Sequence, residues 1–343
     1  MSFAAFPALA RATLAQDPAT ILDHFRARLR AEDRTFEDRE TELFVDTGIG
    51  FITVRAEGDL VALLLAAADG NKAFILRQAV VLHLDQLAPG LAERLVWDGP
   101  LPEFNRPPTF RLARVAAVSH PVPGFARLRL VGDLACMGVG GMHMRVLIPP
   151  DGRLPVWPGL DAAGRTVWPL GEDKLHDPVY TVRNIASDGS WLEIDVFLHG
   201  QGRTCHWAPA ALGAEGGLMG PGGGGFPETE RLFMFGDETA LPAMARILEQ
   251  APAQMQGRVV IEIARPDLRQ ALHHPQGVVV DWVLRGEDAP LADLAEAAMA
   301  GLGVEDYFWF AAEKAAAGRV RQELRRRAVL PRNQCYVAAY WEA

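Results

Sequence analysis

The sequence predicts a multidomain fold with a small α+β domain, an antiparallel β-barrel and an α/β domain built on a parallel sheet. The chain has 343 residues, which is too many for one ordinary hydrophobic core. In its middle, short strands separated by Gly, Pro and Asp turns are typical of a barrel. In its last third, strands alternate with helices, which predicts a parallel sheet. The predicted boundaries are 1–100 for the α+β domain, 101–108 for a linker, 109–228 for the barrel and 229–343 for the α/β domain.

Hydrophobic periodicity gives the elements of the first domain. Apolar residues on one helical face predict helices over Ala19–Arg30 and Lys72–Leu87. Between them, alternating or apolar runs predict three strands: Thr41–Asp46, Gly50–Arg55 and Asp59–Ala66. The prolines between Gly99 and Pro108 prevent regular structure and predict the linker.

The other two domains are read in the same way. The predicted barrel strands are Phe110–Val118, Phe125–Val131, Met142–Ile148, Val179–Ile185 and Trp191–Leu198. The predicted strands of the α/β domain are Leu232–Phe235, Val259–Ala264, Val278–Leu284 and Tyr307–Ala311, with helices near 240–251, 290–301 and 313–327.

Composition narrows the classes of function. A net charge of −9 and a pI of about 5.5 argue against nucleic acid as a partner. The longest apolar run, Leu60–Ala68, is too short to span a membrane, and we expect no secretory signal at the N-terminus. Cys136, Cys205 and Cys335 are too few and too widely spaced for a four-cysteine metal site. Free thiols in a reducing compartment, the cytoplasm, are the expectation.

The stretch Gly236–Ala243 carries the strongest local signal. It follows the apolar strand Arg231–Phe235 and leads into a helix, so free backbone N–H groups are expected to face a phosphate at the turn. Pro242 suits the first helical turn, and Thr239 or Asp237 is predicted to cap the helix. From the residues alone, a phosphate site and a plain structural turn both remain open.

This stretch, Gly-Asp-Glu-Thr-Ala-Leu-Pro-Ala, resembles the nicotinamide-side signature of the siderophore-interacting proteins. These are flavin-dependent ferric-siderophore reductases related to ferredoxin reductases. The resemblance runs from about Phe110 to Trp341, with landmarks in the family's order: His143-Met144-Arg145, Tyr180-Thr181-Val182-Arg183, His199-Gly200, Trp207-Ala208, Gly220-Pro221, the Gly236 turn and Tyr340-Trp341. It implies a ferredoxin-reductase-like fold, FAD, NADPH (or NADH) as the electron donor, and a ferric siderophore or another iron chelate as substrate.

The resemblance assigns the flavin strand, with one departure. The superfamily motif is Arg-x-Tyr-Ser/Thr, and here Tyr180 and Thr181 match while Pro178 replaces the arginine. Val182 and Arg183 complete the stretch, and Arg183 is expected on the same strand face as Thr181. The missing arginine would have supplied a charge-assisted contact to the pyrophosphate of FAD.

The segment His199–Ala208 is expected to contact that pyrophosphate. Its implied FAD-binding residues are His199, Gly202, Arg203, Thr204, Cys205 and Trp207. Arg203 stands where the family has proline, and Cys205 where it has serine. We hypothesise that Arg203 supplies the charge that Pro178 cannot. The alternative is an exposed loop arginine without a role.

The remaining implied contacts flank the flavin. His143 is expected to contact the flavin region, and Arg145 to bind the anionic substrate with the planar geometry of a guanidinium. Tyr340 or Trp341 is expected to cover the flavin face, with ordinary terminal packing as the alternative, and the family's final arginine is replaced by Glu342. For the dinucleotide, the implied residues are Gly236, Asp237, Glu238, Thr239, Ala240 and Arg265. Arg265 follows the second strand of the sheet, where a 2′-phosphate would lie, and so favours NADPH.

The predicted function is an FAD-dependent NAD(P)H oxidoreductase that reduces a ferric siderophore and releases Fe(II). No catalytic acid, base or nucleophile is predicted, because the flavin performs the electron chemistry. Two alternatives stay open. One is a reductase of haem or another iron complex, and the other is a flavin-free binding or regulatory relative.

Overall fold

The computed structural model describes residues 6–32, 34, 36–98, 106–161, 164–328 and 330–342. Residues 101–105 of the predicted linker therefore lie outside the described part. The chain divides into two compact units. One consists of residues 1–110 with 154–174, and the other of residues 111–153 with 175–343.

The regular elements are numbered along the chain. The strands are β1 (Ala8–Leu14), β2 (Phe36–Arg39), β3 (Glu42–Asp46), β4 (Gly50–Glu57), β5 (Leu60–Ala67), β6 (Val96–Trp97), β7 (Phe110–Ser119), β8 (Phe125–Val131), β9 (His143–Leu147), β10 (Gly159–Leu160), β11 (Thr166–Val167), β12 (Val179–Thr181), β13 (Asn184–Ile185), β14 (Trp191–Phe197), β15 (Glu215–Gly222), β16 (Arg231–Asp237), β17 (Gln256–Ile263), β18 (Gly277–Leu284), β19 (Tyr307–Glu313) and β20 (Cys335–Trp341). The α-helices are α1 (Pro18–Ala31), α2 (Gly70–Leu87), α3 (Arg203–Ala210), α4 (Leu241–Gln250), α5 (Leu291–Ala298) and α6 (Lys314–Arg327). No described helix has both the length and the apolar character that a membrane crossing requires.

The first unit is an antiparallel sheet in the order β2-β3-β4-β5-β1-β6, with α1 and α2 packed against it. The central strand β5 is buried along most of its length because β4 and β1 pair with its two edges. Both predicted helices and all three predicted strands are confirmed. The pattern analysis does not find β1, because its alanine-rich sequence has weak β propensity.

Residues 154–174, which we call the excursion, leave the barrel and fold with the first unit. Their two short strands β10 and β11 pair with each other. The side chain of Gln78 in α2 donates to the carbonyl of Gly164 (2.9 Å) and accepts from the amide of Thr166 (3.1 Å). Arg165 adds an ion pair to Glu93 at 3.1 Å. The excursion thus lies within the predicted barrel range 109–228 along the chain.

The barrel sheet of the second unit is antiparallel, in the order β12-β9-β15-β7-β8-β14-β13. The predicted single strand Val179–Ile185 is divided into β12 and β13, which is a correction to the sequence analysis. The backbone N–H of Val182 donates to Met142 (2.8 Å), and that of Arg183 donates to Glu193 (2.7 Å), so the run changes partner strand between these two residues. Strands β12 and β13 are the two edge strands of the sheet, paired with β9 and β14. Because they are consecutive in the chain, the run Val179–Ile185 closes the barrel.

The second sheet of this unit is parallel, in the order β18-β17-β16-β19-β20. Helix α4 packs on one face, with Met234 and Ile261, whereas α5 and α6 pack on the other, with Phe235 and Phe310. The strand order reverses between β16 and β19, which is the point where α/β sheets open a crevice beyond the carboxyl ends of their strands. The predicted strands and helices of this sheet are confirmed. Strand β20, which the sequence analysis does not find, brings Tyr340 and Trp341 to the same edge.

Candidate functional site

A cavity of about 450 Å³ opens at the carboxyl ends of the parallel strands. We call it the strand-end cavity. It is lined by residues at or after the ends of all five strands and by the first turns of α5 and α6: Asp237, Glu262, Arg285, Pro290, Leu291, Ala292, Ala312, Glu313, Ala315, Ala316, Arg319 and Trp341. Of these, Asp237 and Trp341 are among the residues that the sequence analysis selects.

The predicted Gly236 turn forms one wall of this region. A Cβ on Gly236 would lie 2.5 Å from the sulfur of Met244 and 2.8 Å from the Cβ of Ala240, so only glycine lets α4 start this close to the strand. Helix α4 begins at Leu241, with Pro242 in its first turn as predicted. No side chain caps it, and its N-cap residue is Ala240.

The buried carboxylate of Asp237 is used within the turn. One oxygen accepts from the amide (2.9 Å) and the hydroxyl (2.6 Å) of Thr239, and the other accepts from the indole N–H of Trp341 (2.7 Å). The prediction that Asp237 or Thr239 caps α4 is therefore wrong, because an extra turn separates them from the helix. Burial raises the pKa of Asp237, and its hydrogen bonds to Thr239 and Trp341 oppose that shift.

Glu238 is also buried, and it ties three strand ends together. It accepts from the amide of Ala264 at 2.5 Å and pairs with Arg285 at 2.5 Å, while Arg285 also binds Glu262 at 2.7 Å. Burial alone would lower the pKa of Arg285, but its bonds to the two carboxylates raise it. Arg265, predicted to meet a 2′-phosphate, lies at the surface with 63% of its side chain exposed and pairs with Asp267 at 3.1 Å.

Three distant landmarks meet at His143. Its Nδ1 lies 3.3 Å from the hydroxyl of Thr181, and its Nε2 lies 3.1 Å from the hydroxyl of Tyr340. The ring is also stacked near Tyr336, which in turn stacks on Trp309 with ring centroids 5.4 Å apart. Burial lowers the pKa of His143 to about 4, with a further contribution from a nearby guanidinium, so the imidazole is neutral at pH 7.

Tyr180 precedes Thr181 on β12. Its side chain lies toward α3, whereas that of Thr181 lies toward His143. Burial raises the pKa of the Tyr180 phenol to about 12, against the effect of a hydrogen bond with Thr204. Thr204 also bonds to His176 at 2.8 Å. Val182 is fully buried in the barrel core, so its side chain packs there and does not face a ligand.

The segment predicted to hold a pyrophosphate contains a helix that the sequence analysis does not find. Helix α3 begins at Arg203, and its N-cap Gly202 has a φ of +80° and no capping side chain. The amides of its first turn are therefore available to an anion. Cys205 donates weakly to the carbonyl of Phe197 (3.4 Å). His199 is exposed and Trp207 is half-buried.

Each of the four arginines selected from the sequence has a protein partner, and that of Arg265 is Asp267. Arg183 is bidentate on Glu249 of α4, at 2.5 and 2.7 Å. Arg203 donates to the carbonyl of Pro149 at 2.6 Å, and Arg145 pairs with Asp177 at 2.5 Å. The partner residues come from segments with no motif of their own, so the sequence gives no signal for these pairs. Arg285 was also missed, although its position after a strand end is such a signal.

Two family models match most of the chain from residue 114 onward. The model of the siderophore-interacting FAD-binding domain matches residues 114–225, and that of the siderophore-interacting protein matches residues 229–343. The ferric vibriobactin reductase ViuB of Vibrio cholerae is 30% identical over 214 residues, which are 59% of this chain and 77% of ViuB. The chain belongs to the siderophore-interacting protein family.

Solved structures of the family agree with this assignment. The siderophore-interacting protein SipS from Aeromonas hydrophila matches with a TM-score of 0.54 at 26% identity, covering 70% of this chain and 100% of SipS. A siderophore utilization protein from T. fusca matches with a TM-score of 0.57 at 27% identity, covering 68% of this chain and 92% of that protein. The predicted family and ferredoxin-reductase-like fold class are confirmed.

The chain therefore carries an FAD-binding domain, and its residues fit that cofactor. The uncapped first turn of α3 offers amide donors next to Arg203, as a pyrophosphate requires. A Cβ on Gly200 would meet no atom within 4 Å, and one on Gly202 would meet only the ring of His199 at 4.0 Å, so the backbone before the helix is open to a ligand. Tyr180 and Thr181 lie on the adjacent barrel strand.

Proposed function

We propose that this protein is an FAD-dependent reductase that takes electrons from NAD(P)H and passes them to Fe(III) held by a siderophore. The observation that carries the proposal is the meeting of His143, Thr181 and Tyr340, which are 38 and 197 residues apart in the pairs that touch. Membership of the family supports the same reading, as does the similarity to ViuB.

FAD would be held at two places on the barrel. Tyr180 and Thr181 would contact the isoalloxazine ring, while the first turn of α3 and Arg203 would hold the pyrophosphate. When bound, FAD supplies the conversion between a two-electron donor and a one-electron acceptor. Arg203 takes the part of the arginine that Pro178 replaces.

The chain's own side chains prepare this site without performing acid–base chemistry. Neutral His143 fixes the hydroxyls of Thr181 and Tyr340, and the aromatic rings of Tyr336 and Trp309 keep water from its other side. Burial raises the pKa of the Tyr340 phenol well above its usual value, so it stays a hydrogen-bonding group. A rigid and dry surround of this kind favours electron transfer over side reactions.

The electron donor would bind at the strand-end cavity, next to the Gly236 turn. Its position at the switch point of a parallel sheet supports a dinucleotide. Arg265 stays the predicted contact for a 2′-phosphate, which favours NADPH, with NADH as the alternative. Cys136, Cys205 and Cys335 form no disulfide, and the cytoplasm stays the predicted compartment.

The substrate would be an anionic ferric chelate bound near Arg145, whose side chain is half exposed and anchored by Asp177. Reduction releases iron because hard oxygen ligands hold Fe(II) less firmly than Fe(III). One observation supports a second substrate. Glu342 replaces the family's basic residue, and it pairs with Lys314 at 2.8 Å, so this edge offers less positive charge to a chelate. Haem or another iron complex is therefore the second candidate.

The first experiment is the absorption spectrum of the purified protein, before and after incubation with excess FAD. Flavin bands support the proposal, whereas a protein that stays colourless is a binding or regulatory relative and not a reductase. Oxidation of NADPH or NADH is then followed with a ferric siderophore, with haemin or with neither. A rate that depends on the siderophore supports the primary substrate, and a rate that depends only on haemin identifies the second candidate.

A further inference from the structure

Arg246 in α4 is a buried cation without a partner. Its residue is 5% exposed, and Nη1 is fully enclosed with no hydrogen-bond partner. Among the described residues, no hydrogen bond or ion pair is formed by any atom of this side chain. Its guanidinium carbon lies 5.2 Å from the ring centroid of Phe226, a cation–π contact. A buried charge in this state is unfavourable, so it calls for an explanation.

The charges around Arg246 show what is missing. Arg183 takes both oxygens of Glu249, and Arg127 takes both oxygens of Asp195 at 2.7 Å. Glu249 lies three residues after Arg246 on the same helix and is its natural partner, yet it is used by Arg183. With Arg129 and Glu193, which join the same cluster, this group has one cation more than it has carboxylates: Arg246, Arg183, Arg127 and Arg129 against Glu249, Asp195 and Glu193. It can accept one further negative charge.

The position of Arg246 in the fold places that charge near Thr181, because Glu249, three residues after Arg246, binds Arg183, which follows Thr181 by two residues. The guanidinium of Arg246 contributes to the low pKa of His143, and burial together with the charge of Arg183 lowers the pKa of Arg246 itself. His143 is the cross-strand neighbour of Thr181, where the isoalloxazine ring is proposed to lie, and Arg183 follows Thr181 by two residues. The uncapped first turn of α3, where the pyrophosphate is proposed, has its own arginine in Arg203.

We infer that Arg246 stabilises the negative charge that the isoalloxazine ring gains on reduction. This inference rests on the proposed function. When FAD and NAD(P)H are bound, transfer of a hydride from the nicotinamide would give the isoalloxazine ring one further negative charge, provided that no proton follows. Two ferric chelates would then take one electron each, and the proton would leave for solvent. A cation held close to the ring favours the reduced form and raises the reduction potential. Arg246 is thus a positioning and tuning residue that exchanges no proton.

The test compares Arg246→Gln and Arg246→Lys with the unaltered protein and with Arg258→Gln. Arg258 is a half-exposed arginine on β17 that pairs with Asp281, so it serves as a matched control. The midpoint potential of bound FAD is measured by anaerobic reduction against a reference dye. Arg246→Gln should lower the ratio of reduced to oxidised flavin at a fixed ambient potential about tenfold, which is about 30 mV for a two-electron couple. Arg246→Lys should retain most of the potential, and Arg258→Gln should not change it.

Other outcomes separate the two levels of the argument. If the unaltered protein binds no FAD, the proposed function fails. If it binds FAD and Arg246→Gln keeps both FAD and the original potential, the inference about Arg246 is overturned. Loss of FAD from Arg246→Gln alone also overturns it, because Arg246 is then a cofactor anchor.

A second measurement uses the FAD-free protein. An unpartnered buried cation does not stabilise the fold, so Arg246→Met should leave the thermal unfolding midpoint unchanged or raise it. A marked fall would make Arg246 a structural residue and contradict the inference. Should Arg246→Gln fail to fold, the apolar Arg246→Met carries the potential measurement.

Discussion

Replacing Arg203 with alanine should weaken FAD binding about tenfold. A hydrogen bond to a charged group contributes about 1.5–3 kcal/mol, and each 1.4 kcal/mol is a factor of ten in Kd. The side chain of Arg203 is 35% exposed, so solvent screening places the effect at the lower end of that range. Its bond to the carbonyl of Pro149 already holds the guanidinium beside the first turn of α3, so little ordering entropy is lost when phosphate arrives.

The assay is a titration of FAD-free protein with FAD, followed by the quenching of flavin fluorescence. The FAD affinity of Arg203→Lys should lie between those of the unaltered protein and Arg203→Ala, because lysine keeps the charge and lacks the planar guanidinium. Pro178→Arg, introduced into Arg203→Ala, should recover the affinity, since it restores the superfamily's own contact. Arg258→Ala, far along the chain on β17, is the control. A change of less than twofold in Arg203→Ala would refute the idea that Arg203 compensates for Pro178.

The neutral state of His143 makes stability depend on pH. The histidine has a pKa near 6.5 in the unfolded chain and about 4 in the folded one. Its contribution to the free energy of unfolding is therefore fully present above about pH 6.5, and it falls by about 3 kcal/mol as the pH drops to about 4. Urea midpoints across this range measure the slope, which His143→Gln should flatten and the surface change His120→Gln should not. Glu238→Gln should lower the free energy of unfolding by about 2–3 kcal/mol, because the half-buried Arg285 loses one of its two charged partners while Glu262 remains. Thermal unfolding checks this against Asp267→Asn, an exposed carboxylate, and equal midpoints for both variants would contradict the role given to Glu238.

Local patterns predicted most of the fold because burial here follows the strand and helix periods. Two examples are the run Arg231–Phe235 and the helix after Gly236. In each, the structure buries the residues that the pattern marks as apolar. The division of Val179–Ile185 was not predictable, because a change of partner strand depends on barrel closure and leaves no local mark. The excursion was missed for a similar reason, since its two-residue strands are too short to leave a pattern and pair with each other.

The site was predictable as a set of residues and not as a set of contacts. The motifs identify His143, Thr181 and Tyr340 separately, but their hydrogen bonds join segments that are remote in the chain. Arg246 had no signal at all, because on its helix it looks like a surface residue paired with Glu249. Only the packing of α4 against the barrel strand shows that Arg183 has taken that carboxylate.

The clamp of Gln78 on the excursion has a consequence for recombination between homologues. Its side-chain amide hydrogen bonds to the backbone of Gly164 and Thr166, as the backbone of a neighbouring strand would. Gln78 lies in a helix more than eighty residues earlier in the chain. A chimera that imports only one of these two pieces leaves polar groups of the other unmatched. We therefore expect a stable chimera to take helix α2 and the excursion from the same parent.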